Sequence, residues 1–295
     1  MDTRRSFLPS PPESPVFPSA IWKKNLSPIR ISFEDNYPPS PSYSFSSPVE
    51  DERAICHLLE DSFELIGEGE ESRVYKAQIM SFGQSSYAAV KMCKRLCNSL
   101  DLLGEARLIS SLPDKPGREH VVNLLGYDDH QHALILEYYP FSLKSYINDN
   151  GPDRPHAVQW TRNLIEGLEF LRSSGIVHGD IKPANILLNS SLSPIITDLS
   201  LQPEEMLTTV YAAPELLRLH ASSPTHSSDL YSLGLTIYFV ATGCEPYAQA
   251  KNRFQKLSWA RSGEPAKFLD IPAGKSRNIV LSLTANDPSS RRAEF

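Results

Sequence analysis

The sequence predicts an α+β protein: strand-patterned stretches with one helix among them, then helix-patterned stretches, behind a tail of about 55 residues. Three observations predict it. Short apolar runs bounded by turn residues recur at 63–66, 74–77, 87–91, 121–127 and 132–136, which is strand patterning. In 158–171, by contrast, Trp160, Leu164, Leu168 and Leu171 repeat at helical spacing on one stripe. The first fifty positions hold ten of the chain's 24 prolines and eleven serines, with neither period.

Such a tail cannot bury enough apolar surface to offset chain entropy, so 1–55 is expected to be disordered. It carries five Ser-Pro pairs, at Ser10, Ser14, Ser27, Ser40 and Ser47, and Ser27-Pro28-Ile29-Arg30 adds a base beyond the proline. A Pro/Ser-rich tail also generates such pairs by chance. A short helical pattern over 51–60 (Ala54, Ile55, Leu58, Leu59) leads to the first strand.

That strand ends in Gly67-Glu68-Gly69-Glu70-Glu71-Ser72-Arg73-Val74, where glycines without Cβ atoms let backbone N–H groups approach phosphates. A tight β-turn explains the glycines equally well on their own. The strand 87–91 closes on Lys91, and 100–112 reads as an amphipathic helix that includes Glu105. After two more strands comes Leu136-Glu137-Tyr138-Tyr139-Pro140, followed by a short helical start at 143–147.

The densest chemistry lies in His178-Gly179-Asp180-Ile181-Lys182-Pro183-Ala184-Asn185, followed thirteen residues after Asn185 by Asp198-Leu199-Ser200. A carboxylate with a Lys two residues on suits proton abstraction from a hydroxyl beside developing negative charge. An Asn and a second Asp supply the hard oxygen ligands that Mg²⁺ on a nucleotide needs. A polar turn between buried strands is the plainer reading, but it leaves Lys182 and Asp198 unexplained.

Composition sets bounds around this chemistry. A chain of 295 residues has ample length for a sizeable core. A formal net charge of -6 argues against a nucleic-acid or anionic-membrane surface. Cys56, Cys93, Cys97 and Cys244 lack a paired metal-ligand pattern and read as reduced thiols. No apolar run approaches a membrane span, and Arg4-Arg5 runs into prolines rather than a signal segment, so an intracellular protein is expected.

The 178–185 stretch resembles the catalytic loop of eukaryotic protein kinases, and Asp198-Leu199-Ser200 resembles their magnesium-binding triplet. Six further stretches follow in family order, over about 60–295. The resemblance implies a bilobal kinase fold, with a β-sheet N-lobe (60–136), a hinge (137–140) and a helical C-lobe (141–295). It implies ATP and Mg²⁺ as cofactors and proteins as substrates. Asp180 and Lys182 are then the catalytic pair, and Asn185 and Asp198 hold the metal. Gly67, Gly69 and Ser72 form the phosphate loop, and Val74 and Ala89 cover the adenine. Lys91 takes the α/β-phosphates with Glu105 as its partner. Backbone groups of Glu137 and Tyr139 meet the adenine edge, Leu187 is its floor, and Leu136 guards the back pocket.

Further members of the pattern are Thr208 against the catalytic pair and Ala213-Pro214-Glu215 at the loop's end. Asp229 is expected to brace the catalytic loop, and Arg291 to pair with Glu215. Departures are Ser72 for the third glycine, Gly179 for the usual Arg, and Leu199-Ser200 for Phe-Gly. The missing Arg implies activity without activation-loop phosphorylation. The wording is similar to cell-cycle kinases, including the Wee branch, and the Ser-Pro tail implies upstream proline-directed kinases. A serine/threonine kinase is the expectation. The alternatives are a scaffold that keeps the fold without catalysis, and a tyrosine or dual-specificity kinase of the Wee type.

Overall fold

The computed structural model describes residues 56–58, 62–69, 71–81, 84–94, 99–129, 131–200, 208–218, 222–263, 271 and 273–292. The tail serines Ser10, Ser14, Ser27, Ser40 and Ser47 lie outside the described residues, as does Cys97.

The N-terminal part is an antiparallel sheet in the order β1-β3-β4-β6-β5, with β2 also paired to β3. Its strands are β1 (Cys56–Leu58), β2 (Glu64–Glu68), β3 (Ser72–Ser81), β4 (Gln84–Cys93), β5 (Leu124–Asp128) and β6 (Ala133–Glu137). β1 corrects the helical pattern expected over 51–60: Cys56 to Leu58 pair with Ser81 to Ile79 as an added strand. The unpaired edge of β3 offers a row of backbone donors and acceptors, which outweighs the weak propensity of so short a segment. β5 also starts later than its apolar run, and Val121 makes only an isolated bridge to Ile196.

One helix, α1 (Ser99–Ser110), packs across this sheet. Leu102, Ala106 and Ile109 are buried on it at helical spacing, and Glu105 is buried beside them with 4% exposure. A buried carboxylate in an apolar surface requires a partner, and the site supplies one.

The second part is mainly helical: α2 (Leu143–Asn150), α3 (Arg154–Ser173), α4 (His226–Thr242), α5 (Arg253–Ser262) and α6 (Lys275–Leu283). α3 begins four residues before its apolar stripe because Asp153 caps it, accepting the His156 N–H, and Pro155 opens its first turn. α4 is the central helix of this part: every residue over 228–241 is buried. A helix buried on every side belongs in an interior, and α3 and α6 pack against it. Each buried Leu or Ile contributes about 1.5–3 kcal/mol relative to exposure.

A small second sheet joins β7 (Phe141–Ser142), β8 (Ile186–Leu188) and β9 (Pro194–Ile196). The β8–β9 hairpin positions the site. Asn185 precedes β8 and Thr197-Asp198 follow β9, so pairing of the two strands brings the polar ends together. The Thr197 N–H donates to the Asn185 carbonyl at 3.1 Å.

Candidate active site

Asp180 is 4% exposed, and three groups hold its carboxylate. Lys182 Nζ donates to Oδ2 at 2.5 Å, Asn185 Nδ2 to Oδ2 at 3.1 Å, and the Thr208 N–H to Oδ1 at 3.0 Å. Lys182 Nζ also reaches Thr208 Oγ1 at 2.8 Å. A single ammonium thus ties the carboxylate to the segment that precedes Ala213-Pro214-Glu215.

The loop carrying Asp180 is braced from below. The Asp229 carboxylate accepts the N–H groups of His178 (2.9 Å) and Gly179 (2.8 Å). Burial pushes the Asp229 carboxyl up, while His178 and the two N–H bonds oppose it. Gly179 has φ 79°, a left-handed conformation that glycine adopts without steric cost. The His178 ring completes the brace: the Asp180 N–H donates to Nδ1 (3.2 Å), and Nε2 lies 2.9 Å from the Thr197 carbonyl. That pairing assigns the proton to Nε2.

Above the loop, Lys91 Nζ pairs with Glu105 Oε2 at 2.7 Å and with Asp198 Oδ1. Lys91 sits on β4, Glu105 on α1 and Asp198 after β9, so the ion triad joins the two parts of the molecule. Burial disfavours the Lys91 ammonium, but Glu105 and Asp198 overcome that and raise it above its ordinary range. Lys91 holds the Asp198 carboxyl low, and burial raises that of Glu105, which shares the ammonium with Asp198. Asp198 has φ 70°, and Leu199 behind it is 2% exposed, in the same apolar cluster as Leu102, Ala106 and Ile109. Leu199 therefore fills an apolar slot shared with the buried face of α1.

The sign of the Asp198 shift sets a pH dependence. Its folded pKa is depressed below 3.8, so its stabilising contribution is present above that value and is lost as pH falls through the folded pKa. Asp198→Asn is expected to flatten the acid limb of urea-midpoint stability against pH below about pH 4. An unchanged acid limb in the variant would refute this assignment.

The glycine-rich turn is closed by the Gly69 N–H donating to the Ser72 carbonyl at 2.9 Å, with Gly67 opposite Val74. Val74 lies opposite Lys91, and Ala89 opposite Leu136. Glu137 donates its N–H to the Asn123 carbonyl (3.0 Å), and its side chain accepts from Asn123 Nδ2 (2.8 Å) and Tyr139 Oη (3.0 Å). Burial, then Glu137, raises the Tyr139 hydroxyl. Leu187 is half-buried on β8, opposite Ile195. The candidate catalytic, metal and nucleotide residues thus lie on the N-terminal sheet and its helix, on the helical part, or on the segment that connects them.

Two features escaped sequence reasoning. The role of the His178 ring depends on a carbonyl 19 residues on, with no signal in local spacing. Glu68 meets both Arg73 (3.2 Å) and Lys94 (2.7 Å), an ionic clasp across the glycine-rich turn. The acids Glu68, Glu70 and Glu71 followed by Arg73 are a faint signal for the first contact, and nothing in local spacing points to Lys94.

At the far end, Arg291 forks onto Glu215, Nη1 to Oε1 at 2.5 Å and Nη2 to Oε2 at 2.8 Å. It also donates to the carbonyls of Ala285 (2.8 Å) and Ser227 (3.0 Å).

A small sheet and a helical part are thus joined by a Lys-Glu-Asp triad above a braced Asp-Lys-Asn loop. The family model described as "Protein kinase domain" matches residues 61–292, and the chain belongs to that family. It is 31% identical over 224 residues to serine/threonine-protein kinase PBL27 of Arabidopsis thaliana, covering 67% of this chain and 42% of that one. It is 28% identical over 244 residues to inactive serine/threonine-protein kinase PLK5 of Mus musculus, covering 77% and 40%. Its fold is similar to the crystal structure of Rad53 1-466 in complex with AMP-PNP, with TM-score 0.63 and 25% identity, covering 80% of this chain and 62% of that one. The chain thus spans less than half the length of these two curated relatives. Among the described residues, no helix is long and apolar enough to cross a membrane.

Proposed function

We propose that the chain is an ATP-dependent protein kinase that phosphorylates serine and threonine hydroxyls. One observation carries this reading: the Asp180 carboxylate is held by Lys182, Asn185 and Thr208 while Lys91 is held by Glu105 and Asp198. Each charged group that this reading uses has a partner in the fold, which supports the reading despite Gly179, Leu199 and Ser200.

In this reading Asp180 orients the acceptor hydroxyl and takes its proton, and Lys182 steadies the transferred phosphoryl. Lys91, fixed by Glu105, positions the α/β-phosphates over the turn of Gly67, Gly69 and Ser72. Val74, Ala89 and Leu187 enclose the adenine, and backbone groups of Glu137 and Tyr139 meet its edge. Catalysis is mostly alignment and charge stabilisation.

The donor set fits Mg²⁺ carried by a nucleotide. Asn185 uses its Nδ2 on Asp180, which leaves its carbonyl oxygen for a cation, and Asp198 adds a low-pKa carboxylate. Asn185 and Asp198 would hold the ion through oxygen donors, together with oxygens that the nucleotide would bring. When bound, the ion neutralises charge on the phosphates.

Thr208 bonded to Lys182 favours hydroxyls of serine and threonine over tyrosine. Phosphoamino-acid analysis after transfer from Mg-ATP is expected to show phosphoserine or phosphothreonine, and phosphotyrosine alone would support the Wee-type alternative. Absence of transfer with ATP binding intact would support the scaffold reading.

We place a regulatory tail at 1–55 and the kinase domain at 60–295. Proline-directed kinases are its proposed modifiers, in cell-cycle or signalling control. Mass spectrometry of the chain from dividing cells is expected to find phosphate on at least one of Ser10, Ser14, Ser27, Ser40 and Ser47. Unmodified serines at all five positions would remove this part of the proposal.

A further inference from the structure

Phe254 is 85% exposed, the most exposed large apolar side chain among the described residues. It is the second residue of α5, whose ten residues hold three bases (Arg253, Lys256 and Arg261) and no acid. In a chain of net charge -6 this is a local reversal of sign. Lys256 faces Glu245 at 3.7 Å, while Arg253 and Arg261 on the helix and Lys251 just before it are exposed. Residues 253, 254, 257, 258 and 261 share one helical stripe, with only Leu257 half-buried among them. An exposed aromatic flanked by bases is a surface built for an acidic partner with apolar side chains.

The chain itself holds a matching segment. Phe33-Glu34-Asp35-Asn36-Tyr37 places two adjacent acids between two aromatics, and it lies between the Ser-Pro pairs at Ser27 and Ser40. From Tyr37 to Cys56 the chain advances nineteen residues, which reach about 65 Å when extended. A folded domain over 61–292 is about 45 Å across, or about 70 Å around half its girth, so the extended segment reaches all but the face directly opposite β1. Tethering makes docking intramolecular, so a contact too weak to hold a free peptide suffices.

We propose that residues 33–37 dock on the exposed face of α5, the aromatics against Phe254 and the acids against Arg253, Arg261 and Lys251. α5 packs on 214–217, which follows the segment bearing Thr208. A docked tail therefore lies beside the region where a protein substrate presents its hydroxyl. That consequence rests on the kinase reading, but the docking does not.

The test uses the full chain with the photocrosslinking residue p-benzoylphenylalanine in place of Phe254, a position exposed enough to take it without refolding the core. Mass spectrometry of the monomer band is expected to find crosslinks into residues 31–41. Glu34→Lys with Asp35→Lys should lower their yield at least about fivefold, as should ionic strength near 1 M, where the Debye length is about 3 Å. The same crosslinker at Leu281, on α6, should not yield them. Crosslinks only between copies, only to other segments, or at a yield the charge reversal leaves unchanged would each overturn the proposal. None of these outcomes depends on phosphate transfer, so the kinase reading stands or falls separately.

Discussion

Asp180→Asn is expected to lower kcat for protein phosphorylation by at least about 10³-fold while changing ATP affinity by less than about threefold. Asn keeps the size of the side chain and its oxygen still accepts the Thr208 N–H bonded at 3.0 Å in the native chain. It loses the charge that Lys182 neutralises at 2.5 Å and the capacity to take a proton. The triad of Lys91, Glu105 and Asp198 is untouched, so nucleotide binding persists. Single-turnover transfer from Mg-ATP to a generic protein substrate, with the same preparation assayed for nucleotide binding, separates the two quantities. A variant that retains a tenth of the native rate would sink the assignment of Asp180.

The second large effect is on stability. Arg291 has a side-chain exposure of 0% and its partner Glu215 of 16%, so removal of either leaves a charge in a low-dielectric site. Arg291→Met is expected to cost about 3–5 kcal/mol, because Glu215 is stranded and the Ala285 and Ser227 carbonyls lose their donor. For a domain of this size the melting temperature falls by about 10 °C. The double variant Glu215→Leu with Arg291→Met should lose less than the two single losses added, since no charge is then left unpaired. Urea unfolding of the four proteins measures this coupling, and strictly additive losses would show the pair to be energetically idle. The Arg291 guanidinium also lies 4.9 Å over the Tyr231 ring, which anchors the fork to α4.

Much of this site was legible in the sequence because its groups come from short stretches of fixed spacing. Asp180, Lys182 and Asn185 share one loop whose geometry the chain can scarcely vary. The β8–β9 hairpin then returns Asp198 to the same place. Glu105 was less legible: among helix residues its identity as a buried partner depended on what faced it. The 51–60 stretch was misread for a related reason. A three-residue strand has no period of its own, and only the free edge of β3 decides its conformation.

By itself the sequence determined the periodicities that make strands and helices, and the local loop that holds Asp180 and Lys182. It also determined the chemical character of each group, since residue type settles what can donate, accept or carry charge. The pairs of Lys91 with Glu105, Asp229 with the catalytic loop and Arg291 with Glu215 were expected only through the family resemblance, and tertiary structure alone decided that Asp198 shares Lys91 and that the His178 ring meets Thr197. It also decided that Leu199 is buried and Phe254 is not. The physical reason is that periodicity acts over a few residues, whereas burial and ion pairing depend on what the whole fold places on the other side.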